Sequence, residues 1–134
     1  MGKSIKLRDG KDICIISSGT MVAKSIDAAE ILLKDGIEAE IINMHTIKPL
    51  DLNRIKEVIT SNKPIISVEE HTVVGGMGSA ISEILIKQKN QTPLKIIGLE
   101  DKYGKTASYD HLIKIHNLDG IGIAATIKTF IDNL

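Results

Sequence analysis

The feature that most constrains this sequence is its alternation between short apolar runs and segments with helical spacing. Four Ile- and Val-rich runs of strand length are each followed by a stretch in which apolar residues recur every three or four positions: 12–17, 40–43, 64–69 and 93–99. Apolar strands separated by single helices are typical of a parallel sheet covered by helices on both faces. The alternating run at 4–8 predicts an additional edge strand. We therefore predict an open α/β domain of about five strands.

Local signals predict where several helices begin and end. Thr20 and Asp51 each precede a helical stretch and are candidate N-caps, because their side-chain oxygens can accept hydrogen bonds from free backbone amides. Gly36 is a candidate helix end, since glycine readily takes the left-handed conformation found there. Further helices are predicted after the glycine-rich turn at 75–79 and at 108–115. A final helix at 119–133 should carry four apolar side chains toward the core: Ile123, Ile127, Phe130 and Leu134.

Length, charge and cysteine content restrict the class of protein. A chain of 134 residues suits one domain, residues 1–134. The 17 Lys and Arg residues balance 17 Asp and Glu without a basic cluster, which argues against nucleic-acid binding. A single cysteine, Cys14, excludes an internal disulfide and favours a reducing, cytoplasmic compartment. No signal peptide follows Met1, and no apolar run approaches the ~20 residues of a membrane helix.

Ligand sites in such sheets lie beyond the carboxyl ends of the strands, which directs attention to 17–20, 44–51, 69–79 and 100–107. The first of these segments combines hydroxyls with a helix N-terminus and could bind an anion, although a tight turn with a hydroxyl cap is the commoner outcome. The glycines at 75–78 lack the spacing of a dinucleotide-binding turn, so NAD binding is disfavoured.

The run Glu69-Glu70-His71 is the most chemically suggestive cluster, because carboxylates beside an imidazole can transfer protons or bind a metal. Adjacent residues in an extended segment point to opposite faces, however, so the three side chains cannot easily converge. The other histidines have no zinc-ligand spacing to this cluster. We therefore favour a structural or interface role in which the segment caps the following helix, and we predict core packing for Cys14. No complete catalytic, cofactor or metal set is predicted in the chain.

Four blocks, taken in order, resemble the C-terminal domain of transketolases. They are DICIISSGTMV at 12–22, NMHTIKPLD at 43–51, SVEEHTVVGGMGSAISE at 67–83 and GLEDKYGK at 98–105. The resemblance extends over about residues 3–134 and looks closest to the C-terminal subunit of split transketolases. Thr106-Ala107 departs from the Ser-Gly usual in the family. Related domains occur in 1-deoxyxylulose-5-phosphate synthases and in the β subunits of 2-oxo acid dehydrogenases.

The resemblance implies a three-layer α/β/α domain with a five-stranded, mostly parallel sheet whose first strand, 4–8, is an antiparallel edge strand. It also implies a cytoplasmic, homodimeric parent transferase of the pentose phosphate pathway that moves two-carbon ketol units between sugar phosphates. In that family thiamine diphosphate and Mg²⁺ bind between a pyrimidine-binding and a diphosphate-binding domain. This chain shows no Gly-Asp-Gly…Asn-Asn stretch for the diphosphate. We therefore expect a fragment that is inactive alone and serves assembly.

Seven residues are candidates for an interface or for the edge of an active site: His45, Lys48, Glu69, Glu70, His71, Gly75 and Gly76. Alternative hypotheses remain open. The chain could be a stand-alone interaction or regulatory module that binds a partner or a small anion through 46–51 and 69–79. It could also be the C-terminal domain of a 2-oxo acid dehydrogenase β subunit or of a 1-deoxyxylulose-5-phosphate synthase.

Overall fold

The computed structural model describes residues 2–89, 91–99 and 108–134. Strands and helices alternate over most of this part of the chain. They are β1 (Ile5–Arg8), β2 (Ile13–Ser17), α1 (Met21–Lys34), β3 (Ala39–Asn43), α2 (Leu52–Thr60), β4 (Ile65–Thr72), α3 (Met77–Leu85), β5 (Leu94–Leu99), α4 (Tyr109–Ile115) and α5 (Gly120–Asp132). None of these helices combines the length and apolar character needed to cross a membrane.

The strands form one five-stranded sheet in the order β1-β3-β2-β4-β5. β1 runs antiparallel to β3, whereas the β2–β3, β2–β4 and β4–β5 pairs are parallel. The predicted fold class is therefore confirmed, including the antiparallel edge strand. β4 is longer than predicted, because it continues through Glu70 and His71 to Thr72.

Helices cover both faces of the sheet and divide the core into two layers. Ile15 and Ile41 pack with α1, α4 and α5 on one face, while Ile16 and Ile42 pack with α2 and α3 on the other. β2 is buried along its whole length, which explains its uninterrupted apolar sequence. Cys14 is fully buried within it, and this burial raises the pKa of its thiol far above the ordinary value. The prediction that Cys14 serves core packing is confirmed.

The predicted orientation of two helices needs correction. The helical spacing of Val22, Ile26, Ala29 and Leu33 predicts that these residues form the apolar stripe of α1. In α1, Ile26 and Leu33 lie on the exposed side, and the buried face instead carries Met21, Ser25, Ala28, Ala29 and Leu32. Both sets of residues have the helical period, so spacing alone does not distinguish them; the buried set combines Met21 and Leu32 with three small side chains. Leu134 was predicted to face the core but is 61% exposed, since α5 ends at Asp132. Gly36 has a φ of +79°, as expected for its position at the end of α1.

A buried carboxylate forms ion pairs at the edge of the sheet where β2, β3 and β4 begin. Glu40 is 4% exposed and pairs with Lys63, whose Nζ also donates to the carbonyl of Gly10 at 3.0 Å. The Nζ of Lys6 lies 3.3 Å from the Glu40 carboxylate, whose charge raises the pKa of that lysine. Two cations and one buried anion thus join β1, β3 and the loop that leads into β4, an arrangement that no local sequence pattern indicates.

Asp51 caps α2, as predicted, and also holds the start of β1. Its Oδ1 accepts a hydrogen bond from the amide of Arg54 at 3.2 Å, and its Oδ2 accepts from the amide and hydroxyl of Ser4 at 2.8 and 3.0 Å. Burial opposes the charged form of Asp51, but these hydrogen bonds outweigh it and hold the pKa of the carboxyl below its ordinary value.

We predict that Asp51→Ala lowers the free energy of unfolding by about 1–2 kcal/mol, because it removes a helix cap and the partner of Ser4. Urea denaturation followed by circular dichroism measures this loss. Asp27→Ala is the matched control, because Asp27 is an exposed aspartate in the interior of α1 and caps no helix. Equal losses for the two variants would contradict the assignment of Asp51 as the cap.

The effect of Asp51→Ala should depend on pH. Because the pKa of Asp51 is lowered in the folded state, its carboxylate stabilises the fold above the unfolded-state pKa of about 4, and this contribution disappears as pH falls through the folded-state value. The stability difference between wild type and Asp51→Ala should therefore be constant above about pH 5 and shrink below about pH 4. A difference that grows on acidification would contradict this account.

Candidate functional site

A cleft of about 360 Å³ lies at the carboxyl ends of β2 and β4. These neighbouring strands lead into helices on opposite faces of the sheet, α1 after β2 and α3 after β4. The chain therefore reverses its winding direction between them, which is where open α/β sheets place their ligand sites. The cleft is lined by Ser18, Gly19, Thr20, Ile47, Glu69, Glu70, His71, Gly75 and Gly76.

Glu69 forms the floor of the cleft and caps α3. Its carboxylate is 2% exposed and accepts hydrogen bonds from the amides of Met77 at 2.8 Å and Gly78 at 3.0 Å. A carboxylate at this position also interacts favourably with the dipole of the helix. Both oxygens are therefore committed to the backbone. This confirms the predicted capping role of the segment and leaves Glu69 poorly suited to proton transfer.

The glycines of the following turn allow this close approach. A Cβ atom on Gly76 would lie 2.5 Å from Glu69 Oε1, so no larger residue fits without displacing the carboxylate. Gly75 has a φ of +78°, a conformation that glycine takes without steric cost. Its amide donates to the hydroxyl of Ser79 at 3.0 Å, and that hydroxyl donates to the carbonyl of Val73 at 3.1 Å. The glycine-rich turn thus packs closely around the carboxylate of Glu69.

Glu70 points to the other face of the sheet, as the strand alternation predicts. Its Oε2 accepts hydrogen bonds from the hydroxyls of Thr20 at 2.6 Å and Tyr109 at 3.0 Å, which joins β4 to the starts of α1 and α4. Thr20 is the N-cap residue of α1, but its side chain makes no cap hydrogen bond. The predicted hydroxyl cap is therefore wrong, because Glu70 takes that hydroxyl. An anion bound near this turn would meet the carboxylate of Glu70, which is already in place.

The two predicted histidines differ in position. His71 lines the cleft, and its Nδ1 lies 2.9 Å from the carbonyl oxygen of Thr72. Because a carbonyl can only accept, Nδ1 is the donor in this contact. His45 and Lys48 are exposed on the loop after β3, where Ile47 rather than either of them lines the cleft. His45 Nδ1 instead lies 3.3 Å from the hydroxyl of Thr46.

The structure thus brings together Glu69, Glu70, His71, Gly75 and Gly76 but leaves His45 and Lys48 outside the cleft lining. Within residues 2–89, 91–99 and 108–134, no group of three or more His, Cys, Asp or Glu side chains is placed to hold a metal ion. The predicted segment 100–107, including the turn at 101–104, lies outside the described residues. Tyr109 was missed because nothing local to 108–115 indicates that it reaches Glu70, which lies 39 residues away.

We predict that Glu69→Gln destabilises the fold by about 1–3 kcal/mol, because an amide offers only one acceptor oxygen to the two backbone amides. The matched control is Glu70→Gln, whose exposed amide oxygen can still accept from hydroxyls and which should change stability by less than about 0.5 kcal/mol. Chemical denaturation of the two variants measures the contrast. Equal losses would contradict the assignment of Glu69 as the cap of α3.

Two kinds of longer protein are similar to this chain. A putative transketolase C-terminal section from Methanocaldococcus jannaschii is 39% identical over 128 residues, which cover 95% of this chain and 39% of the relative. A 1-deoxy-D-xylulose-5-phosphate synthase from Caldanaerobacter subterraneus is 39% identical over 127 residues, covering 95% of this chain and 20% of the relative. The chain therefore spans about two fifths of the first relative and one fifth of the second.

Solved structures share the fold. A split-gene transketolase described as an inactive β4 tetramer aligns with a TM-score of 0.90 and 30% identity over 98% of this chain and 43% of its own. A transketolase mutant from Pichia stipitis aligns with a TM-score of 0.74 over 98% of this chain at 18% identity, which supports the fold alone.

The family comparison agrees with these relatives. Residues 2–123 match the family model described as the transketolase C-terminal domain. The match covers β1 to β5, α1 to α4 and the first residues of α5. The resemblance found in the sequence is confirmed, and the chain belongs to the transketolase C-terminal domain family.

Proposed function

We propose that this chain is the assembly and support domain of a thiamine-diphosphate-dependent enzyme of the transketolase type. The observation that carries the proposal is the match of 98% of the chain to the split-gene transketolase, at a TM-score of 0.90 and 30% identity. On this proposal the complete enzyme is a cytoplasmic homodimer that uses Mg²⁺ and thiamine diphosphate to transfer two-carbon ketol units between sugar phosphates. The lone, buried Cys14 supports a reducing compartment.

The described residues of this chain do not fit the cofactor. A diphosphate bound at the starts of α1 and α3 would meet the carboxylates of Glu70 and Glu69, which already occupy those positions. Like charges at such short range repel strongly. Both oxygens of Glu69 accept hydrogen bonds from backbone amides, so this carboxylate is poorly placed to ligate Mg²⁺. We infer that cofactor binding belongs to the other domains of the enzyme.

We further propose that the cleft-bearing edge of the sheet contacts those other domains. Val74, directly before the glycine-rich turn, is 66% exposed, and Leu52 at the start of α2 is 51% exposed. Exposed apolar side chains grouped at one edge are typical of interaction surfaces. β1 begins at the same edge, where Ile5 pairs with Asn43 at the end of β3. A domain that precedes this one in the polypeptide would therefore enter beside the cleft.

The candidate residues then have distinct roles in the interface. His71 and Glu70 supply polar contacts at the cleft. His45 and Lys48 extend the polar rim along the neighbouring loop. Glu69, Gly75 and Gly76 set the turn that presents Val74.

Synthesis of 1-deoxy-D-xylulose 5-phosphate is the second candidate function. It is favoured by the similarity of this chain to several synthases of that name, for example at 38% identity over 134 residues in Halothermothrix orenii. The same supporting role for this domain would apply, because only the chemistry of the remaining domains would differ. Product analysis of the reconstituted enzyme distinguishes the two activities.

Cofactor binding provides the first test of the proposed function. Isothermal titration calorimetry of this chain with thiamine diphosphate and Mg²⁺ should show no micromolar binding. Addition of a polypeptide that carries the pyrimidine- and diphosphate-binding domains should restore both cofactor binding and turnover. Micromolar binding to this chain alone would overturn the proposal. A chain that neither associates with those domains nor changes their activity would instead support a stand-alone module.

Substitution of Val74 provides the second test of the proposed function, because it probes the cleft-bearing edge of the sheet. Val74→Asp should weaken association with the remaining domains at least tenfold, because it places a charge where an apolar contact is proposed. Ile86→Asp is the matched control, since Ile86 is 85% exposed and follows the opposite end of α3. Sedimentation velocity measures the complex, and circular dichroism verifies that both variants fold. An unchanged complex with Val74→Asp, or equal weakening by both variants, would contradict the assigned surface.

A further inference from the structure

We propose that one buried water molecule lies between α1 and the sheet, hydrogen-bonded to Ser17, Ser25 and Asn43. Within the described residues, Ser17 Oγ, Ser25 Oγ and Asn43 Oδ1 are buried oxygen atoms without a protein partner. Ser17 and Ser25 are each 0% exposed. Buried polar atoms are almost always hydrogen-bonded to protein or to ordered water, because an unpaired one retains its full desolvation cost.

The fold brings these three side chains to the same face of the sheet. Ser17 and Asn43 are the last residues of β2 and β3 and are directly paired in register. Two residues earlier on the same strands, Ile15 and Ile41 pack into the core layer that contains the buried face of α1. Since strand side chains alternate with a period of two, Ser17 and Asn43 face that same helix.

The position of Ser25 on α1 completes the site. Ser25 belongs to the buried face of the helix, about one turn after its first residue, Met21. α1 leaves β2 through the short turn at 18–20 and runs back over the strands. The four residues from Met21 to Ser25 rise about 6 Å along the helix, back toward the strand ends. The three unpaired oxygens thus come from β2, β3 and α1 and lie on one face of the sheet.

A neutral water fits this group better than an ion. Each serine hydroxyl can donate and accept, the amide oxygen of Asn43 accepts, and a buried water typically makes about three hydrogen bonds. The surrounding layer is apolar, with Met21 and Ile15 among its members, and it would penalise an unpaired charge. The water would also tie together the strand ends that lead into the cleft, since the turn at 18–20 follows Ser17 and the loop with Ile47 follows Asn43.

A high-resolution crystal structure of the chain tests the site directly. We expect electron density for one water within hydrogen-bond distance of Ser17 Oγ, Ser25 Oγ and Asn43 Oδ1. Direct hydrogen bonds among these atoms without a water, or rotation of any of them toward another protein partner, would overturn the inference.

Oxygen-17 magnetic relaxation dispersion, which detects long-lived internal water, tests it in solution. Ser25→Ala should shorten the residence time of one water by about tenfold, the factor expected for the loss of one hydrogen bond. Ser82→Ala is the matched control, because its hydroxyl already donates to the carbonyl of Ser79 at 2.7 Å within α3. That control should leave the relaxation profile unchanged. An identical profile for wild type and Ser25→Ala would contradict the proposed site.

Discussion

The constraint on which the rest of this structure depends is the burial of the central strands on both faces. All of β2, the first four residues of β3 and the first five residues of β4 are buried, so helices must cover both sides of the sheet. Polar side chains are thereby displaced to the strand ends and to the turns beyond them. The cleft arises where the helices that follow β2 and β4 depart to opposite faces. Its position is a consequence of the winding of the chain.

The neighbouring residues Glu69 and Glu70 have different roles because their side chains lie on opposite faces of the sheet. Glu69 turns toward α3 and satisfies the first free amides of that helix, while Glu70 turns toward α1 and α4 and gathers two hydroxyls. Glu69 thereby takes the amides that would stabilise a phosphate at the start of α3, and Glu70 places a negative charge beside the N-cap residue of α1. A surface built in this way is suited to protein contacts more than to holding a diphosphate.

The family relationship and the geometry both support the proposal that this domain assists assembly while other domains bind the cofactor. The chain spans about two fifths of a related transketolase C-terminal section and about one fifth of a related synthase. A domain that packs its own carboxylates into its helix starts, and that exposes Val74 beside the cleft, is consistent with a supporting role in a larger enzyme. The proposed internal water would contribute to this supporting role, because it would stabilise the strand ends from which the cleft loops emerge.

The sheet could be predicted from the amino-acid sequence, as could most element boundaries, the cap at Asp51 and the divergence of Glu69 from Glu70. These features depend on periodicity and on hydrogen bonds that span only a few residues. Three other features became evident only in the folded chain: which face of α1 is buried, that Thr20 and Tyr109 both donate to Glu70, and that Lys6 and Lys63 both pair with Glu40. The partners in these contacts lie 23 to 50 residues apart, and Lys6 and Glu40 lie on adjacent strands. Such pairs meet only once the order of the strands is fixed, and no local pattern encodes that order.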